Sequence, residues 1–232
     1  MRVLGNDCRA TLVSFSGIDG SGKSTQIQAL CLRLEESGLR VLQVRFWDDV
    51  AMLTRIRERT GHTIFRGDKG VGSPQNPICR RDKNVRSPYM TCIRLFLYFI
   101  DALSVRVAAR KASTSGADVV IFDRYTYDEL ANLTLSNPVI RAYVRIIMRI
   151  APKPQISYLL EADPSKAFAR KPEYPLDFLN SNQQSYLTLS NMVGGMTVIG
   201  PMELEDVKRA VLMHAQEKMS LAAVDLPGIL PS

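Results

Sequence analysis

Five short apolar runs recur along the chain, and segments with helical spacing separate most of them. Thr11-Leu-Val-Ser-Phe-Ser16 reads as a first buried strand. Ser24 to Glu36 then places Ile27, Leu30, Cys31 and Leu34 on one helix face, and Gly38 is a suitable residue to end that helix. Leu39 to Phe46 reads as a second strand, after which Asp48-Asp49 would cap a short helix to about Arg59. Residues 61–86 are rich in glycine and proline with little periodicity, so they read as a long insertion, either functional or disordered. Ser87-Pro88 forms an N-cap and first-turn pair opening a long helix to about Ser113, and Gly116 ends it. Val119 to Asp123 is apolar in its first four positions, as a central parallel strand should be. A helix over Pro138–Ile150, a strand over Ile156–Leu160, a polar connection over 163–175 and a helix over Leu179–Asn191 follow. Met196–Ile199 is the fifth strand, Pro201–Lys218 the last helix, and Leu221–Ser232 a proline-bearing tail. Strands alternating with helices predict a single α/β domain over 1–232, a five-stranded parallel sheet with helices on both faces. Ligands of such sheets sit outside the carboxyl ends of the strands.

The turn after the first strand falls at that edge. Gly17-Ile-Asp-Gly-Ser-Gly-Lys-Ser24 matches the G-x-x-x-x-G-K-[ST] phosphate-binding loop at every fixed position, and it lies between a strand and a helix. Gly17, Gly20 and Gly22 let the backbone curl so that N–H groups point inward, with Asp19 and Ser21 between them. The helix start at Lys23, Ser24 and Thr25 adds the positive end of its dipole. Lys23 would reach the β- and γ-phosphates of a nucleoside triphosphate, and the Ser24 hydroxyl would ligate Mg²⁺. ATP and Mg²⁺ are therefore the expected cofactors. The competing reading, an ordinary glycine-rich turn, fits the full match less well.

Composition adds a sign to the ligand. Lysine and arginine number 30 and aspartate and glutamate 23, a net charge of +7, which suits anionic partners. Positive residues cluster from Arg80 to Arg86 and continue along the following helix to Arg94; a solvated surface explains them as well as nucleic acid does, and we expect no nucleic-acid partner. Cys8, Cys31, Cys79 and Cys92 form no C-x-x-C pair, and His62 and His214 stand apart from them. That pattern excludes a cysteine–histidine metal site and suits a reducing compartment. The first residues lack an apolar signal core, and Arg94 and Asp101 bound the longest apolar run, Leu95 to Ile100. A cytoplasmic protein with no membrane partner is the expectation.

Asp123 closes the third strand beside the glycine loop, where an acid would hold the Mg²⁺ shell; a helix cap is the alternative. Asp123-Arg124-Tyr125, together with Phe15-Ser-Gly-Ile-Asp-Gly-Ser-Gly-Lys-Ser-Thr25, resembles the signature of thymidylate kinases, a family of P-loop nucleoside monophosphate kinases. Arg45-Phe46 is similar to that family's arginine-bearing turn near the acceptor, and Leu97-Tyr98-Phe99-Ile100-Asp101 to its base-stacking helix. Ala162 to Arg170 is similar to the exit of the fourth strand into the lid. The resemblance covers about residues 11–215 and implies a three-layer P-loop kinase sandwich. It implies Asp19 at the acceptor sugar or its phosphate region, and Arg124 and Arg45 on the acceptor phosphate. It also implies Arg170, with Lys171, in a short lid over 163–175 that neutralises charge on the transferring group. Tyr98 and Asp101 would complete the acceptor site, and the family's dimers imply a homodimer through the 88–113 helix.

The chain also departs from the family pattern. Ala102 stands where the family carries arginine, and Arg94, one face of the helix with Tyr98 and Asp101, is the candidate substitute; a solvated arginine is the alternative. Asp128, Asn132 and Leu133 replace residues that line the family's base and sugar pocket. The expected function is ATP-dependent phosphoryl transfer to a small phosphorylated acceptor, foremost a nucleoside monophosphate such as dTMP. Its rivals are a kinase for another nucleoside or small metabolite, and a degenerate kinase that binds nucleotide as a regulator.

Overall fold

The computed structural model of the chain describes residues 10–50 and 88–219, with side chains of 88–90 excepted. The 61–86 insertion, the helix to Arg59, the Arg80–Arg86 cluster and the Leu221–Ser232 tail lie outside the described residues. So do Cys8, Cys79, His62 and Ser87.

All five predicted strands are present: β1 (Thr11–Ser16), β2 (Val41–Arg45), β3 (Val119–Asp123), β4 (Ile156–Leu160) and β5 (Thr197–Ile199). They pair in parallel in the order β2-β3-β1-β4-β5. The helices are α1 (Lys23–Glu36), α2 (Pro88–Thr114), α3 (Thr126–Leu130), α4 (Pro138–Ile150), α5 (Pro164–Arg170), α6 (Leu176–Val193) and α7 (Leu204–Met219). A π-helical turn, Phe46–Val50, follows β2. The fold is the expected α/β one.

Side chains alternate across each strand, so the sheet has two apolar faces. Val13, Phe15, Ile121 and Tyr158 pack on Ile27, Leu30 and Leu34 of α1 and Val207 and Val211 of α7. Leu12, Val120, Phe122 and Leu159 face the other way, onto α2, α3, α4 and α6. This second face holds buried Val105 and Ala109 of α2, Leu130 of α3, Val144 and Ile147 of α4, and Leu189 of α6.

Two short helices stand where no helix was expected. The segment 163–175, expected as an irregular connection, contains α5, whose Asp163 side chain accepts from the N–H groups of Ser165 (2.8 Å) and Lys166 (3.4 Å) with Pro164 in the first turn. α3 follows Tyr125 directly and is too short to show a periodicity.

The topology determines where a ligand fits. The chain leaves β1 toward β2 and leaves β4 toward β5, in opposite directions along the sheet. A crevice therefore opens over the carboxyl ends of β1 and β4. The glycine loop lies across it.

Candidate active site

The loop from Gly17 to Ser24 is held between β4 and α5 by contacts that only glycine permits. A Cβ on Gly17 would stand 2.4 Å from the Leu160 carbonyl oxygen, and one on Gly20 would stand 2.7 Å from that of Ala167. Gly20 and Gly22 also have φ of 83° and 86°, the left-handed region that L side chains rarely adopt. Gly22 precedes α1 and takes no side-chain cap, so the first N–H groups of the helix are left to a ligand.

Lys23 is buried at 6% exposure and turns back over the loop. Its Nζ donates to the carbonyls of Gly17 and Ile18, both at 2.8 Å, and to Ser21 Oγ at 3.4 Å. Burial, then the Arg124 charge, pulls its pKa down from 10.5 to about 8, against the upward pull of Asp19, Asp128 and Asp123. Ser24 and Thr25 are exposed at the start of α1.

Across the loop, β3 ends in register with its neighbours. Phe15 and Arg45 are both Cα partners of Asp123, so the carboxyl ends of β1, β2 and β3 are level. Arg124 then adopts φ 70°, the only positive φ outside glycine among the described residues. Its N–H donates to the Phe15 carbonyl at 3.1 Å, which turns the chain back toward β1. The guanidinium forks between two carboxylates: one terminal nitrogen donates to Asp19 Oδ1 inside the glycine loop, and the other lies 3.6 Å from Asp128 Oδ1. Burial presses the guanidinium toward neutrality, and Asp19 and Asp128 outweigh it, so Arg124 is held above its ordinary pKa.

The remaining sequence candidates fall in four places. Arg45 is exposed at the end of β2; its N–H donates to Asp49 Oδ2 at 2.7 Å and its guanidinium lies 3.9 Å from Asp48. Tyr98 is 8% exposed and Asp101 fully buried beneath α2. They belong to an enclosed polar group with Tyr143 and Glu129: burial, with the charges of Glu129, Tyr98 and Asp101, lifts the Tyr143 pKa above its usual value. Arg94 lines a cleft of about 1370 Å³ between α2, α4 and α6, which also receives Asn132, Leu133, Arg141, Arg145 and Asn182. Arg170 is exposed at the end of α5, where its Nε donates to the Lys166 carbonyl at 3.2 Å, and Lys171 pairs with buried Glu173 at 3.2 Å.

Asp128 joins the phosphate edge without having been among the sequence candidates for it. The signal was present: an acid three residues after Tyr125, whose N–H it accepts at 3.0 Å, marks a helix start.

Mg²⁺ fits this donor set. Among the described residues no group of three or more histidine, cysteine, aspartate or glutamate side chains could hold a metal alone. Mg²⁺ needs no such group, because it commonly takes one or two carboxylates, water and substrate phosphates. The exposed Ser24 hydroxyl and the half-buried Asp123 carboxylate supply that kind of partial shell.

No family model matches the chain. It is similar to a protein named probable thymidylate kinase from Methanothermobacter thermautotrophicus, at 28% identity over 191 residues, covering 80% of this chain and 84% of that protein. It is also 28% identical over 162 residues to a thymidylate kinase from Solidesulfovibrio magneticus, covering 68% and 67%. The chain is thymidylate kinase-like. That likeness is to phosphotransferases of the nucleoside monophosphate kinase kind. No described helix of this thymidylate kinase-like chain is long and apolar enough to cross a membrane.

Proposed function

We propose that the chain transfers the γ-phosphoryl group of ATP to the phosphate of a nucleoside monophosphate, dTMP foremost, giving ADP and the nucleoside diphosphate. The observation that carries the reading is the Arg124–Asp19 ion pair, which joins the end of β3 to the nucleotide loop. A guanidinium there lies between the donor loop and the carboxyl edge where an acceptor phosphate would approach.

In this reading the loop N–H groups and Lys23 hold the β- and γ-phosphates, and Arg124 and Arg45 orient the acceptor phosphate. Arg170 covers the transferring group from α5. Ser24 and Asp123 would hold Mg²⁺, which supplies charge neutralisation between the β- and γ-phosphates. Such a set suits phosphoryl transfer, which depends on positioning and electrostatics more than on covalent chemistry. Lys23 must release its two backbone carbonyls to reach a phosphate; a triphosphate offers it charged acceptors in exchange. The exposed stripe Phe96, Leu103 and Val107 on α2 favours a homodimer, and the proposed use of ATP, with Cys31 and Cys92 free among the described residues, favours the cytoplasm.

A second reading rests on the cleft. Its arginines, amides and hydroxyls, with Asn132 and Leu133 at its edge, would suit a different small phosphorylated or hydroxylated acceptor. One assay separates the readings: ADP release measured over a panel of nucleoside monophosphates, nucleosides and sugar phosphates. Turnover of dTMP to dTDP supports the first reading, and turnover only of a non-nucleotide supports the second. Absence of ADP release with every acceptor would falsify both and leave a nucleotide-binding regulator.

A further inference from the structure

We propose that Asp128 is a positioning residue: it sets the Arg124 guanidinium for the acceptor phosphate and couples that guanidinium to helix α6. The proposal rests on the phosphoryl-transfer reading for the role of Arg124, and on geometry for everything else.

Asp128 is 3% exposed, and every direction around its carboxylate is used. Oδ2 accepts from Ser16 Oγ at 2.7 Å and from the Tyr125 N–H at 3.0 Å. Oδ1 accepts from Tyr186 Oη at 2.8 Å and lies 3.6 Å from an Arg124 terminal nitrogen. Its partners come from three places outside its own helix: β1, the turn after β3, and α6. A buried carboxylate carries a large desolvation cost, so one held this completely is expensive to misplace.

Three features show what the arrangement does beyond capping a short helix. First, the backbone of Arg124 is in a left-handed conformation, which is strained for a non-glycine residue and persists only where its surroundings over-determine it. The Phe15 carbonyl holds its N–H, and Asp19 and Asp128 hold its guanidinium. Second, the fork fixes the guanidinium plane. With Asp19 alone the group could rotate about its long stem; a second carboxylate 3.6 Å from the other terminal nitrogen restricts that rotation. Third, the Tyr186 hydroxyl ties this cluster to α6, the helix that follows the turn after α5. Burial and the Asp128 charge raise the Tyr186 pKa well above its usual value, so the hydroxyl stays a donor. Movement of α6 is therefore transmitted to Oδ1 and from there to Arg124.

The test uses the whole chain with Asp128→Asn, Tyr186→Phe and, for signal assignment, Arg124→Lys. Asp128→Asn keeps the shape and removes the charge; Tyr186→Phe keeps the charge and cuts the link to α6. The first readout, ¹⁵N NMR of the arginine guanidinium groups, needs no turnover. In the parent chain the terminal nitrogens of Arg124 should be resolved by slow rotation. They should merge in Asp128→Asn and broaden in Tyr186→Phe. The second readout is steady-state kinetics with dTMP or whichever panel acceptor is turned over. We expect KM for the acceptor to rise ten- to a hundred-fold in Asp128→Asn, as small misplacements of a positioning group do, with KM for ATP within about twofold. Tyr186→Phe should shift acceptor KM in the same direction by less. Arg124 signals that stay resolved in both variants overturn the proposal, as does an equal rise in both KM values. If Asp128→Asn does not fold, Tyr186→Phe decides by the same two readouts. If the parent chain turns over no acceptor, the kinase reading fails while the NMR result still judges the positioning role.

Discussion

Lys23 carries most of the electrostatic consequence at the scale of single residues. Its pKa of about 8 means that the free protein loses this charge as pH rises through 8, whereas an unfolded chain keeps it to about 10.5. Between those values the unfolded state binds more protons, so the Lys23 contribution to stability rises with pH. A bound triphosphate reverses the preference, because anionic oxygens favour the charged lysine. ATP affinity should therefore be flat with respect to this group below about pH 8 and fall above it, with a proton taken up on binding. Calorimetric titration of ATP in two buffers of different ionisation enthalpy measures both effects. A dissociation constant that stays constant to about pH 10 would show that ATP binding does not draw on a lowered Lys23 pKa. The loop match and the Asp-Arg-Tyr run made Lys23, Asp19 and Arg124 legible in the sequence, because fixed spacing within one turn survives without tertiary context. Asp128 was visible as a departure from a family pattern and as an acid at a helix start, and neither signal tied it to the phosphate edge. Its contact with Tyr186 spans 58 residues, a distance that no local signal records.

Among the elements, most boundaries follow from caps and periodicity. α4 is the clearest case. Asn137 precedes Pro138, its side chain accepts from the Val139 N–H at 2.8 Å, and Ile140, Val144 and Ile147 are buried at helical spacing. Both its ends were predicted from the sequence alone. Asn137→Ala should remove that cap and cost about 0.5–2 kcal/mol, with the sheet and the nucleotide loop unchanged. Chemical denaturation should show a lower midpoint with an unchanged slope; a changed slope would mean the helix does more than pack. The helices that periodicity missed are the ones too short to display it. α5 still carried a readable start in Asp163-Pro164, and that helix matters, since its Ala167 carbonyl closes on Gly20. β5 proved one residue shorter than its apolar run, and α6 begins three residues earlier than the periodic pattern, directly after Pro175. Tyr98 and Asp101 show the opposite limit: a shared helix face is legible, but which way that face turns is set by packing against α3 and α4.

For the molecule as a whole, the glycine loop is a seam. It touches the end of β4 through Gly17, α5 through Gly20, the end of β3 through Asp19 and Arg124, and it begins α1 on the opposite face of the sheet. A ligand seated in it would bear on both layers of helices, so binding should stabilise the entire fold rather than one segment. At ATP about a hundredfold above its dissociation constant, with Mg²⁺, mass action adds about 2.7 kcal/mol. For 232 residues, each kcal/mol moves Tm by about 2–4 °C, so a rise of about 5–10 °C is expected. Lys23→Ala should lose most of that rise while keeping a cooperative transition. Arg124→Ala should keep most of the ATP effect and lose any further rise from dTMP, because in the proposed division of labour Lys23 serves the donor and Arg124 the acceptor. Differential scanning calorimetry of the three proteins with ATP, dTMP and both distinguishes these outcomes. A parent Tm that ATP and Mg²⁺ leave unmoved would mean that the loop holds no triphosphate, and the kinase and regulator readings would fall together.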